Sequence, residues 1–124
     1  MNERGLRGGK LAADVQSDVH ILQSTVLLGG GETLQTDGNR LHYLGYGYCG
    51  GYGRARTAPP KETSIDYASG AAMLVKREVF EAVGLFRDEY FLYYDDMEFC
   101  WRARLAGFNV GIAASSICRH QYNF

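Results

Sequence analysis

The chain has 124 residues, 46% of them apolar and 22% charged. That mix excludes a disordered tail, a coiled coil and a collagen-like fibre, and suits a single small domain. Lys and Arg total 13 against 14 for Asp and Glu, a net charge of −1, so there is no electrostatic footprint for nucleic acid or for an acidic membrane surface.

The three cysteines, Cys49, Cys100 and Cys118, are odd in number and far apart. Without a CxxC pair they make neither a disulfide framework nor a zinc knuckle, and they point to a reducing compartment. The first ten residues are basic but lack the apolar stretch of a secretion signal. The small-residue run Ala68 to Val75 is far too short to cross a bilayer.

Residues 1–18 mix Gly with charges and show no sustained period, so a poorly structured lead-in is expected, with a weak helical turn around Leu11 to Val15. Val19 to Leu28, rich in β-branched and aliphatic residues, reads as a buried strand stopped by Gly29-Gly30-Gly31. Gly31 to Arg40 reads as a hairpin-like excursion turning at Asp37-Gly38. Leu41 to Arg54 (LHYLGYGYCGGYGR) alternates aromatic residues with Gly and reads as a flexible loop. Arg54 to Thr63, with both prolines, reads as an exposed loop.

Ile65 to Val75 is expected to be a second strand. A helix from about Lys76 to Val83 should follow, closed by Gly84. Beyond the aromatic connection Phe86 to Tyr94, a second helix spans about Asp96 to Ala106, stopped by Gly107. Its acids lie early and its arginines late, which suits the helix dipole, and Glu98 with Arg102 is a favourable i,i+4 pair. Phe108 to Ile117 reads as a last strand leading to His120. Strands alternating with short helices predict an α/β arrangement with a mixed sheet.

Several patterns compete for function. Gly45-Tyr46-Gly47-Tyr48-Cys49-Gly50 spells GxGxxG, with Asp66 near the distance of a ribose-binding acid, but no helix can start behind it to hold a pyrophosphate. The segment is better read as an aromatic loop whose tyrosines could stack on sugar rings. Gly29 to Gly31 lacks the Lys-Ser/Thr of a P-loop and is read as a turn. His20 and His42 stand alone and read as structural or surface residues. The acidic cluster Asp95-Asp96-Met97-Glu98 has two compatible readings. Asp95 can cap the helix with Glu98 closing a capping box, while a neighbouring carboxylate serves as a general base.

From Ile65 to His120 the sequence resembles the C-terminal half of a family 2 glycosyltransferase of the rhamnosyltransferase-like group. The resemblance is carried by Asp66 to Phe80 (DYASGAAMLVKREVF), Val83-Gly84-Leu85-Phe86, and Phe91 to Phe108 (FLYYDDMEFCWRARLAGF). It implies a partial GT-A fold whose N-terminal nucleotide-binding half is missing, with residues 19–124 as the acceptor-side portion. It also implies inverting transfer of a sugar from a nucleotide-sugar donor to a glycan or cell-surface polysaccharide acceptor, in the cytoplasm or at the cytoplasmic membrane face. Asp96 maps onto the catalytic base. Ser69, Gly70 and Ala71, with Tyr94 and Asp95, map onto substrate-binding positions, and His120 maps onto a residue that helps hold a metal or diphosphate.

The complete enzyme would use a divalent metal, Mg or Mn, but no DxD motif stands in this chain. The chain alone is therefore expected to bind no metal, to be inactive, and to self-associate or pair with a missing donor half. An alternative from another class is a non-catalytic module, or inactive remnant, that binds carbohydrate or a partner through the Tyr/Gly loop 43–53.

Overall fold

The computed structural model describes residues 18–56, 64–90 and 93–121. The lead-in and its helical turn therefore lie outside the described residues, as does most of the proline loop.

The longest apolar run makes the central strand. Strand β1 (Ile21–Leu28) is buried or nearly so along its whole length, as a strand covered on both faces must be. Strand β6 (Val110–His120) runs parallel to it, pairing Ile21 with Val110 at one end and Leu28 with His120 at the other. The register jumps from Ser24 opposite Ala113 to Thr25 opposite Ile117, so residues 114–116 are extra on β6. The other edge of β1 is shared. Strand β5 (Met73–Val75) pairs antiparallel with Ile21 to Gln23, and β2 (Leu34–Thr36) pairs antiparallel with Val26 and Leu27. The result is the expected mixed sheet.

Two helices follow β5. Helix α1 (Arg77–Val83) ends on Gly84, whose φ of 84° and N–H bond to the Phe80 carbonyl make the left-handed stop that glycine allows. Helix α2 (Asp95–Leu105) buries Phe99, Cys100 and Ala103 on one face. That face packs with Ile21, Ile65, Tyr67, Ala68, Val79, Val110 and Ile112 into the main core. Arg102 ties the helices together. It forms an ion pair with Glu98 at 2.6 Å, and it donates hydrogen bonds to the Val83 and Leu85 carbonyls.

Four expectations need correction. Ile65 to Val75 is not one strand: only Met73–Val75 is extended, and Ser69 to Ala72 forms a turn. Small residues there favour close backbone approach over ladder pairing. The first hairpin turns at residues 29–33, between β1 and β2, and Asp37-Gly38 instead leads into β3 (Asn39–Leu41). The aromatic loop is partly ordered, since β3 pairs antiparallel with β4 (Gly47–Cys49) around a turn at Gly45, where φ is 90°. Finally, Asp95 is not a cap. The residue before the helix is Tyr94, left-handed at φ 63° and without a side-chain cap bond, while the Glu98 carboxylate is engaged by Arg102.

Candidate active site around Asp96

Asp96 is the second residue of α2, in the first turn, where the helix leaves N–H groups without intrahelical partners. Its Oδ1 accepts the Met97 N–H at 2.8 Å, and its Oδ2 accepts the Gly70 N–H at 2.9 Å. The second bond reaches across the chain to the Ser69–Ala72 turn. That turn is knitted internally: the Ala71 N–H donates to Ser69 Oγ, and the Ala72 N–H to the Ser69 carbonyl. It is fastened to the sheet at both ends. The Ser69 N–H donates to Gln23 Oε1 at 2.7 Å, and the Ser24 N–H donates to the Ala72 carbonyl.

Burial pushes the Asp96 carboxyl above the ordinary carboxylate range. The backbone donors Gly70 and Met97 pull it back in part, and Asp95 pushes it up further. The net effect is a stronger base than an exposed aspartate. Three backbone N–H groups, those of Gly70, Met97 and Asp96 itself, share the two oxygens, which between them have about four acceptor sites.

Other groups share this field. Tyr67, buried beneath the hairpin, has its phenol pushed up by burial first and by Asp96 next, with smaller contributions from Cys49, Cys100 and Tyr94. Burial raises Cys49 as well, and Asp96 adds to it. Cys100 is pushed up to about 12 by burial, and it accepts the Ala68 N–H on its sulfur. The field of this one carboxylate therefore reaches Cys49 on β4, Tyr67 and Cys100 on α2.

Of the residues singled out in the sequence, Ser69, Gly70, Ala71 and Asp96 form one hydrogen-bonded unit. Asp95 and Tyr94 stand beside it at the helix entrance, and Tyr93 joins Tyr94 in the left-handed region. Two consecutive non-glycine residues there are an uncommon and strained arrangement.

His120 lies elsewhere, at the far end of β6. It pairs with Leu28, and its Nδ1 hydrogen-bonds Gln35 Oε1 at 3.0 Å. A divalent metal needs several oxygen or nitrogen donors around one point. Among the described residues no group of three His, Cys, Asp or Glu converges in that way.

The decoys resolve physically. The GxGxxG segment lies within the β3–β4 hairpin and is followed by turns. Asp66 is a structural tie: its Oδ2 accepts the Leu41 N–H and its Oδ1 meets Arg104 at 3.5 Å. His20 accepts the Asn109 N–H and packs edge-on to Phe108, while His42 stacks on Tyr46.

Sequence reasoning missed Gln23, Tyr67 and Cys49. Gln23 carried a signal, because an amide inside VHILQSTVLL must find a partner or cost stability. For Tyr67 and Cys49 there was none, because only the fold brings them into the field of Asp96.

No helix among the described residues is long and apolar enough to cross a membrane. No family model matches the chain, and no solved structure matches it. Two named proteins do match over short stretches. A low-salt glycan biosynthesis hexosyltransferase, Agl10, from Haloferax volcanii is 40% identical over 47 residues, covering 38% of this chain and 15% of that protein. An N-acetylglucosaminyl-diphospho-decaprenol L-rhamnosyltransferase from Mycobacterium tuberculosis is 30% identical over 69 residues, covering 55% of this chain and 22% of that protein. The chain spans less than a quarter of the length of either relative. It is thus an α/β chain with a mixed sheet and a partial, glycosyltransferase-like relationship.

Proposed function

We propose that this chain is the acceptor-side portion of an inverting glycosyltransferase of GT-A type, with Asp96 as its general base. The observation that carries the reading is the Asp96 carboxylate, half-buried, raised in basicity and aimed by the Gly70 and Met97 N–H groups. The similarity to a hexosyltransferase and a rhamnosyltransferase supports the same class. In this reaction Asp96 takes the proton of an acceptor hydroxyl as that oxygen attacks the anomeric carbon of the donor sugar. The bond from that carbon to the nucleotide diphosphate breaks, and the diphosphate leaves with the electron pair. Holding the base in place before the acceptor arrives lowers the cost of reaching that geometry.

The nucleotide-sugar donor, and the divalent metal expected with it, fall to residues other than those described here. The acceptor is a glycan or cell-surface polysaccharide precursor, and the work is done in the cytoplasm or at the cytoplasmic membrane face. A second reading, carbohydrate binding without transfer, is favoured by one observation: Tyr43, Tyr46, Tyr48 and Tyr52 are all exposed on or beside the β3–β4 hairpin.

The test is made in an enzyme completed by restoring a donor half. Asp96→Asn removes proton acceptance, and its single amide oxygen can keep only one of the bonds to the Gly70 and Met97 N–H groups, so turnover should fall by ~10² or more in a protein that still folds and binds donor. Asp95→Asn should act more mildly, because Asp95 reaches Asp96 only through its charge. Equal, modest losses at both positions would sink the base assignment. Glycan binding with no turnover in the unmutated protein would favour the binding module.

A further inference from the structure

Gln23 is fully buried in the middle of β1, yet it is polar. Its Oε1 accepts the Ser69 N–H at 2.7 Å. This fixes the orientation of the amide, because only the oxygen can accept from a backbone N–H. Its Nε2 then faces the other way and has no hydrogen-bond partner among the described residues. A buried amide with an unsatisfied half costs stability that an apolar side chain of the same shape would not. Packing alone therefore does not account for it; the bond to Ser69 does.

That bond has a consequence one residue on. The next peptide N–H, that of Gly70, is the donor to Asp96 Oδ2. Ser24, adjacent to Gln23 on the strand, holds the other end of the same turn through the Ala72 carbonyl. The rigid centre of the sheet thus sets where the Gly70 N–H points, and the Gly70 N–H sets one oxygen of the carboxylate.

We propose that Gln23 is a positioning residue: through Ser69 it holds the Gly70 N–H on Asp96 and so fixes the carboxylate that the proposed transfer uses. The inference rests on the base reading for its function but not for its geometry. The titratable groups coupled to Asp96 are Asp95 at the helix entrance, Cys100 on α2, Tyr67 from the segment before the turn and Cys49 from β4. Gln23 touches the carboxylate through none of them.

The experiment follows the Gly70 amide proton by NMR in the full chain while pH carries Asp96 through its titration. In the unmutated protein that proton should shift downfield as the carboxylate ionises. Gln23→Met has a similar shape without an acceptor, and it should cut the pH-linked shift to less than about half, since hydrogen bonds weaken steeply as alignment is lost. Thr25→Val changes another buried polar side chain, two residues along the same strand, whose hydroxyl has no hydrogen-bond partner among the described residues, and should leave the shift intact. A folded Gln23→Met protein with the full Gly70 response would overturn the proposal.

Should the Met variant not fold, Gln23→Asn withdraws the oxygen by one methylene and reads the same way. Failure of both to fold is the behaviour of a packing residue and also overturns it. The functional arm separates this inference from the one before it. In a completed enzyme Gln23→Met should lower kcat about tenfold, the scale of a misplaced general base, with donor KM unchanged. If Asp96→Asn abolishes transfer and Gln23→Met leaves kcat untouched, the base stands and the positioning role falls. If Asp96→Asn leaves transfer intact, the base falls, and the Gly70 response still decides the hydrogen-bond chain.

Discussion

Two regions adjoin at Tyr67, and they are built on opposite terms. On one side, β1, β5, β6 and α2 bury Ile21, Ile112, Phe99, Cys100 and Ala103 in a continuous core. On the other, the β3–β4 hairpin spends its aromatic residues on the surface, where Tyr43 is 88% and Tyr52 60% exposed. The first region holds a carboxylate still; the second offers faces and hydroxyls to whatever approaches it. Their difference teaches how each is built: a carboxylate fastened by backbone donors keeps one geometry, whereas exposed rings on a short hairpin are held by little around them.

The sharpest way to break the comparison is in the core. Phe99 is fully buried and stacks on Phe86 with ring centroids 4.4 Å apart. Phe99→Ala should cost about 3–5 kcal/mol, because the cavity it leaves lies under the first turns of α2. Chemical denaturation measures this; a loss near that of a surface substitution would show that α2 is not anchored as described.

A smaller effect is expected where the hairpin joins the core. A Cβ added at Gly47 would come within 2.8 Å of Tyr67 ring carbons and closer still to its hydroxyl. Tyr67 is itself buried and cannot swing clear. Gly47→Val should therefore destabilise by about 1–3 kcal/mol through overpacking, although valine suits a strand. An unchanged denaturation midpoint would mean that the hairpin does not rest on Tyr67.

The smallest effect concerns the carboxylate that the first region holds. The Asp96 carboxyl titrates above its ordinary value in the folded protein, so the folded state binds its proton more tightly than the unfolded state does. Its contribution to stability is then greatest below the unfolded value, near 4. It declines as pH rises from there through the raised folded value, and it is flat above that. The melting-temperature difference between the unmutated protein and Asp96→Asn should follow that course across a pH series. A difference that grows with pH would mean that the backbone donors outweigh burial.

The sequence was informative wherever a pattern is local. The apolar run Val19 to Leu28 announced β1, and Gly84 and Gly107 marked the helix ends within a residue. The Glu98–Arg102 pair formed as its spacing required. The acidic cluster at the start of α2 was conspicuous, but only the family resemblance singled out Asp96 within it. The same conspicuousness misled, since Asp95 looked like the cap and Tyr94 took that position in a left-handed conformation that no local preference favours.

The mixed α/β character and the two helices were thus determined by the sequence alone, because alternation, turn residues and charge order act within a few residues of themselves. Tertiary structure decided what Asp96 is held by. Gln23 lies far from Ser69 in the chain, and Cys49 and Tyr67 are distant from α2, so no spacing rule connects them. They meet only because the pairing of β1 with β5 and β6 closes the core. Burial then does what sequence cannot show: it turns an amide in a strand into a fastening for a turn, and raises the carboxyl of an aspartate that backbone donors hold at a helix start.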